Sequence, residues 1–352
     1  MQKVVKNLNI NNRRYTGSKY KLMSWIKRLL EEHCVDCNSF FDVFGGTGVV
    51  TASVIDMYQS FVINDFLFSN EIIYKAFFLQ EAYDQNKLDN IAKAYNEIDK
   101  SKLKSNYVSK NYGDKYFKME DAKLIGYIRE DIKSKKKKGE IADKEYYILL
   151  ASLLYSFDKS ANTVGHYEAY IKGKEIRTDF TFGLIEPIDL QGKNISIYRE
   201  DANKLAKSIK ADIAFVDPPY NSRQYSRFYH VMETITKWDK PSLTGTAMKP
   251  PEENMSDYCR SAAPKTFEDL VKHLDVKYIV VTYNNTYNSK STSSKNKITL
   301  EEIKAILEKR GKTLVFEKPH QCFNAGKTEF TDHKEFVFIT KVGEKDAWEE
   351  HY

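Results

Sequence analysis

An open α/β sheet of mainly parallel, Rossmann-like strands, interrupted by a mostly helical insert, is the fold class that the sequence predicts. Three observations carry it. Short apolar, β-branched runs end in acidic or glycine-bearing turns and are followed by amphipathic stretches, the rhythm of βαβ units. That rhythm stops at about Leu67 and resumes after Leu190. One resumed run, Asp212-Ile213-Ala214-Phe215-Val216, stops abruptly on Asp217-Pro218-Pro219-Tyr220. In open parallel sheets the C-terminal edge of the strands is where ligands bind. The sheet domain is therefore expected from residues 1–66 and 191–352, with the insert at 67–190.

At 352 residues, the chain can bury one large core or two ordinary ones. An aromatic content of 13%, with 24 Tyr and 20 Phe, argues against disorder. A net charge of +6 and a pI near 8.7 suit a polyanionic partner without demanding one. No run of 18 apolar residues exists and the basic start lacks the apolar core of a signal peptide, so a cytoplasmic protein without membrane contact is expected. Four cysteines are too few for a disulfide scaffold. His33, Cys34 and Cys37 have no fourth ligand at zinc-finger spacing, so reduced, partly buried thiols and no metal are expected.

In chain order, Arg13-Arg14-Tyr15-Thr16-Gly17-Ser18-Lys19 forms a glycine turn before a helix predicted over 21–32. Leu22, Trp25, Ile26, Leu29 and Leu30 give that helix one apolar face. Its start could receive an anion, although an ordinary capped helix would read the same way. A short strand then runs through Phe40-Phe41-Asp42-Val43-Phe44 into Gly45-Gly46-Thr47-Gly48 and a helix bearing Val49, Val50, Val54 and Ile55. Such a turn lets backbone approach a ligand, but by itself it is weakly specific. It is neither Gly-x-Gly-x-x-Gly nor a phosphate loop, which weakens dehydrogenase and nucleotide-hydrolase readings. The second strand, Phe61-Val62-Ile63, ends on Asn64-Asp65, and an acid there can hold both ribose hydroxyls. A solvent-exposed turn residue is the plain alternative.

The insert is rich in Lys, Tyr and Asn, with helical patterns near 69–98, 119–133 and 143–157. Its Lys133-Ser134-Lys135-Lys136-Lys137-Lys138-Gly139 run reads as a solvated loop. The aromatic string His166, Tyr167, Tyr170, interleaved with basic residues, suits phosphate contact plus base stacking. After the insert, a strand through Ile195-Ser196-Ile197-Tyr198 reaches Glu200-Asp201, and Asp201 stands where an adenine amine could be recognised. Beyond Tyr220 come a helix over 228–236, a proline-rich loop over 238–266, a strand over 278–282 and a mobile Ser/Lys-rich run over 288–297. A helix capped by a Thr299/Glu302 box and strands near 313–317 and 335–341 follow.

The tetrapeptide at 217–220 suits a planar nucleobase with an exocyclic amine. Asp217 can accept one N–H, the Pro218 carbonyl the other, and Tyr220 can stack on the ring. A strand ending in a Pro-Pro turn with an exposed Tyr is the bland reading. What decides between them is order. Arg14-Tyr15-x-Gly17-x-Lys19, Asp42-Val43-Phe44-x-Gly46-x-Gly48, Asn64-Asp65, Glu200-Asp201 and Asp217-Pro218-Pro219-Tyr220 succeed one another as in the Dam-like, alpha-group adenine DNA methyltransferases, which the chain resembles over about two-thirds of its length. The first motif departs from the pattern, with Tyr15-Thr16-Gly17-Ser18 where many relatives carry Trp-Ala-Gly-Gly.

The resemblance implies a fold of the S-adenosylmethionine-dependent methyltransferase type, with S-adenosyl-L-methionine as cofactor and a target-recognition insert. It implies cofactor contacts from Tyr15, Lys19, Asp42, Phe44, Gly46, Gly48, Asp65 and Asp201, and catalytic roles for Asp217, Pro218 and Tyr220. It implies a site-specific enzyme that methylates the 6-amino group of a flipped adenine in double-stranded DNA. The branch resembled is that of restriction–modification, with a cognate restriction endonuclease encoded nearby and a monomeric or weakly dimeric enzyme. An RNA adenine methyltransferase, a DNA cytosine amino-methyltransferase and a catalytically inactive DNA-binding subunit remain alternatives. The first commonly carries Asn at the position of Asp217, and the last has no need of an intact motif set.

Overall fold

A computed structural model describes residues 7–173, 175–190, 192–286, 295–319 and 333–343. Residues 1–6, the 288–294 part of the Ser/Lys-rich run, and Cys322 lie outside the described residues. The chain forms two compact units. One comprises Met1–Ser18, Leu67–Gln191 and Ser226–Glu253; the other comprises Lys19–Phe66, Gly192–Tyr225 and Asn254–Tyr352.

The second unit is built on seven strands: β1 Ser39–Asp42, β2 Ser60–Asn64, β3 Asn194–Tyr198, β4 Ile213–Val216, β5 Tyr278–Asn284, β6 Gly311–Pro319 and β7 Lys334–Val342. Their order across the sheet is β3-β2-β1-β4-β5-β7-β6. β1 to β5 pair in parallel, and β7 runs antiparallel to both its neighbours. The order reverses between β1 and β4, the switch point at which open sheets bind ligands.

Along the chain the helices are α1 Met23–His33, α2 Val49–Ser53, α3 Phe68–Phe78, α4 Gln85–Glu97, α5 Tyr107–Tyr112, α6 Met119–Lys137, α7 Asp143–Ser160, α8 Ala202–Leu205, α9 Tyr225–Phe228, α10 His230–Lys237, α11 Ala263–His273 and α12 Leu300–Glu308. The strand residues alternate in facing, as a pleated sheet requires. Phe41, Ala214, Val216, Ile279 and Val281 pack with α11 and α12 through Phe267, Leu270, Ile303 and Leu307. Phe40, Phe61, Ile213, Phe215 and Val280 face the other way, onto Trp25, Ile26, Leu29 and Leu30 of α1 and Val49 and Val50 of α2. Two helical layers on a mostly parallel sheet confirm the α/β expectation.

In the helical unit α7 is buried nearly all round, from Ile148 to Phe157, so it forms the axis of that core. Arg129 of α6 donates to the carbonyls of Ile235 (2.7 Å) and Thr236 (3.0 Å), closing the C-terminus of α10 with a cation. The Glu233 carboxylate accepts from the backbone N–H groups of Phe68 (3.0 Å) and Ser69 (2.8 Å), an anion at the start of α3.

Four local expectations change. The stretch expected to be helical over 69–98 breaks at 79–84, and α4 restarts on Asp84, whose side chain caps it by accepting from Lys87 N. The lysine run is largely the end of α6 instead of a loop. Its basic side chains lie at the helix C-terminus and pair with Asp131, Glu140 and Asp143, which suits the helix dipole. Residues 263–266 belong to α11, with Pro264 in its first turn, a position that needs no N–H. Tyr167 is fully buried and donates to Asp158 (2.9 Å), so it is a core residue and cannot stack on a base. The thiols of Cys34, Cys37 and Cys259 are unbridged; burial pushes that of Cys34 up to about 12 and that of Cys37 up to about 11. No described helix is long and apolar enough to cross a membrane.

Candidate active site

The ends of β1, β2 and β3 are tied together by Asn64. Its side chain donates to the carbonyls of Val43 (3.2 Å) and Glu200 (3.1 Å) and accepts from Glu200 N–H (3.0 Å). With that residue 1% exposed, the glycine turn and the Glu200-Asp201 turn are held at one sheet edge. The turn itself needs glycine where the chain enters the left-handed region, at Gly46 (φ 53°) and Gly48 (φ 78°). Gly46 donates its backbone N–H to the Asp65 carboxylate at 3.0 Å, so the glycine turn and the strand-end acid form one structure. Asp201 caps α8 by accepting from Lys204 N (3.0 Å). Phe44 lies edge-on to Tyr258 with ring centres 5.1 Å apart.

Asp42 sits beneath this turn, 1% exposed, and accepts from the Thr51 hydroxyl of α2 at 2.8 Å. Burial, opposed by the Thr51 hydrogen bond and helped by the charges of Asp217 and Asp65, pushes its carboxyl up to about 7.

Across the switch point, β4 delivers Asp217. One carboxylate oxygen accepts from the Thr282 hydroxyl of β5 at 2.7 Å and from the Tyr220 hydroxyl. The other faces the Lys19 ammonium at 2.9 Å. Lys19, 4% exposed, also donates to the Tyr220 oxygen at 2.7 Å. Burial first and then the Asp217 charge push the Tyr220 phenol well above its ordinary value, so it remains a donor. Its ring stands edge-on to Tyr283 at 4.6 Å, and its backbone carbonyl accepts from Lys297 N (2.8 Å) and the Tyr283 hydroxyl (3.2 Å). The Pro218 carbonyl accepts nothing among the described residues. A carboxylate has about four acceptor positions, and three donors are seated on Asp217. One further N–H can therefore be received there, beside the open carbonyl.

Residues 15–306 match the model of a protein family described as D12 class N6 adenine-specific DNA methyltransferase (MethyltransfD12). The chain belongs to that family. It is similar to the modification methylase LlaI of Lactococcus lactis subsp. lactis, with 32% identity over 293 residues, 77% of this chain and 46% of that one. To the type II methyltransferase M.NlaIII of Neisseria lactamica it is 30% identical over 336 residues, 91% of this chain and 95% of that one. To the type II methyltransferase M.FokI of Planomicrobium okeanokoites it is 28% identical over 352 residues, 92% of this chain and 52% of that one. The chain thus spans about half the length of the first and third of these relatives. A solved structure of a putative class I S-adenosylmethionine-dependent methyltransferase from Listeria monocytogenes is 11% identical, covering 94% of this chain and 62% of that one with a TM-score of 0.36, too distant to bear on function.

For a D12 methyltransferase the methyl donor is S-adenosylmethionine, and the residues present suit it. Two left-handed glycines open the turn at the switch point, and an acid from β2 is fixed beside them. Of the residues expected at the site, Lys19, Asp217 and Tyr220 form one hydrogen-bonded cluster, and Gly46 and Asp65 form another. Tyr15 belongs to the helical unit, where it stacks on Tyr229 at 4.7 Å and 7° with the Arg13 guanidinium 4.9 Å from its ring centre. Sequence reasoning missed Thr282, Tyr283 and Gln224. Gln224 is signalled only by its contacts, donating to Ser256 O (2.9 Å) and accepting from Ser256 N (2.7 Å) to pin the segment after the motif.

Proposed function

We propose that this D12 methyltransferase transfers a methyl group from S-adenosylmethionine to the 6-amino group of an adenine flipped out of double-stranded DNA, at a sequence chosen by the helical unit. The observation that carries this reading is the Lys19–Asp217–Tyr220 cluster beside the open Pro218 carbonyl. An amine held by Asp217 and Pro218 has both N–H groups near the ring plane, which turns the nitrogen lone pair outward toward the methyl group. The sulfonium supplies an already electrophilic methyl, so this chain's task is alignment, a proximity effect. As bonding proceeds the nitrogen becomes cationic, and the Asp217 carboxylate stabilises that charge. Gly46, Gly48, Phe44, Asp65 and Asp201 would hold the cofactor, with Asp42 supporting the turn from below. Removing the base from the stack costs a few kcal/mol, and an aromatic surface such as Tyr220 returns about 1–3 kcal/mol.

Similarity to modification methylases supports a restriction–modification role; a cytoplasmic, monomeric or weakly dimeric enzyme with a cognate endonuclease encoded nearby completes the reading. The test is transfer of labelled methyl from the cofactor to duplex DNA and to RNA, with the modified base mapped. Label on adenine N6 at a fixed DNA sequence is expected. Label on RNA or on cytosine would replace this reading with a neighbouring chemistry, and no label with intact DNA binding would make the chain a binding subunit.

A further inference from the structure

One carboxyl group near Asp217 belongs to no motif. Glu335 is the second residue of β7, and because β7 runs against β5 its register partner is Asn284, at the same strand edge as Thr282 and Asp217. It is 7% exposed, and its Oε2 atom has no hydrogen-bond partner among the described residues. The groups acting on it are the Asn284 amide, which donates to the carboxyl, and the charges of Lys19 and Asp217. Its own charge in turn acts on the Tyr220 phenol. An acceptor buried without a donor is costly, so its persistence within the field of the Lys19 ammonium asks for a reason.

Resting on the reaction proposed above, we propose that Glu335 is a positioning residue whose carboxylate is the second seat for the Lys19 ammonium, drawing it off Asp217 when the target amine arrives. The reaction requires such a seat. Lys19 holds one Asp217 oxygen and the Tyr220 hydroxyl. An amine that becomes cationic beside a fixed ammonium is opposed by like charge. With Lys19 moved to Glu335, Asp217 presents an uncompensated carboxylate to the developing positive nitrogen. The move itself transfers no proton; as the carbon–sulfur bond breaks and the carbon–nitrogen bond forms, the surplus proton on the methylated nitrogen is released by way of Asp217 to water. Burial, against the pull of Lys19 and with the push of Asp217, holds the Glu335 carboxyl up to about 7. The seat therefore forms as pH rises through that value, when the carboxyl ionises.

The test has two arms, on wild type, Glu335→Gln, Glu335→Asp, Lys19→Met and the Lys19→Met/Glu335→Gln double variant. In single-turnover methylation of duplex DNA from pH 6 to 9, Glu335→Gln should lose roughly 100-fold in rate, as misplacement of reacting groups does. Its cofactor affinity should be unchanged, and the rise in rate near pH 7 should disappear. Glu335→Asp should recover part of both. In thermal melting at pH 8, the shifts of Lys19→Met and Glu335→Gln should fail to add in the double variant, because the two charges already act on each other in the free protein. Wild-type rate and pH profile in Glu335→Gln, or additive melting shifts, would overturn the proposal. If wild type leaves DNA adenine unmethylated, the reaction reading fails by itself, and the melting arm still decides whether the Lys19 and Glu335 charges are coupled as the second seat requires.

Discussion

Asp217 holds three donors from three parts of the chain, and removing its carboxylate strands all of them. Asp217→Ala should slow methyl transfer by about 100- to 1000-fold, the effect of deleting a preorganised partner of developing charge. Cofactor affinity, measured by calorimetry, should be little altered because the glycine turn and Asp65, proposed to hold the cofactor, make their hydrogen bonds apart from Asp217. Tyr220→Phe should stay within about tenfold of wild type, since Lys19 still reaches Asp217 directly, whereas Tyr220→Ala loses the ring and should be severe. A wild-type rate in Asp217→Ala would leave the tetrapeptide a mere strand end. Lys19, Asp217 and Tyr220 were legible in the sequence because each lies in a short motif whose residue types match a chemical task. Thr282 and Glu335 were not, because neither sits in such a motif and only the β4–β5–β7 register brings them to Asp217.

At the scale of elements, the glycine turn and β2 act as a pair. Asp65→Ala deprives the Gly46 N–H of its acceptor and the cofactor ribose of its proposed partner. A charge-assisted hydrogen bond contributes about 1.5–3 kcal/mol, so affinity for S-adenosylmethionine should fall by roughly 10- to 100-fold; unchanged affinity in calorimetry would move the ribose elsewhere. Strands were readable because apolar β-branched runs bounded by turn residues leave few alternatives. α12 was readable from its Thr299/Glu302 box, seen with bonds of 2.8 and 3.1 Å. α11 carried a different signal, the apolar spacing of Phe267, Leu270 and Val271, masked by the prolines before it. The lysine run reads as a loop and folds as helix because charge density speaks of solvation and is silent about backbone geometry.

For the molecule as a whole, acid should act on the two units in opposite directions. In the sheet unit, burial holds the Asp42 and Glu335 carboxyls at about 7, above their unfolded values. Their contribution is fully present below about pH 4 and is lost as pH rises through 7. In the helical unit, burial first of all holds His230 down at about 3. Its contribution is present above about pH 6.5 and is lost as pH falls toward 3. Calorimetric melting from pH 7 down to 4 should therefore separate into two transitions, with the helical unit melting first. Asp42→Asn should raise stability at pH 8 by on the order of 4 kcal/mol and much less at pH 4. A single transition throughout, or no gain in that variant, would contradict these assignments. Binding to DNA should also weaken steeply with added salt, since phosphate contacts release counterions.

The reversed direction of β7 bears on inheritance as well as on chemistry. The family match ends at residue 306, before β6 and β7 begin. A gene shortened after that point would keep every motif and still pass for an intact methyltransferase. Its product would lack Glu335 and would leave β5, buried along all seven of its residues, as an unprotected edge strand prone to pairing with other chains. Decay of such genes from the 3′ end would thus yield insoluble protein while the telltale residues remain in the reading frame.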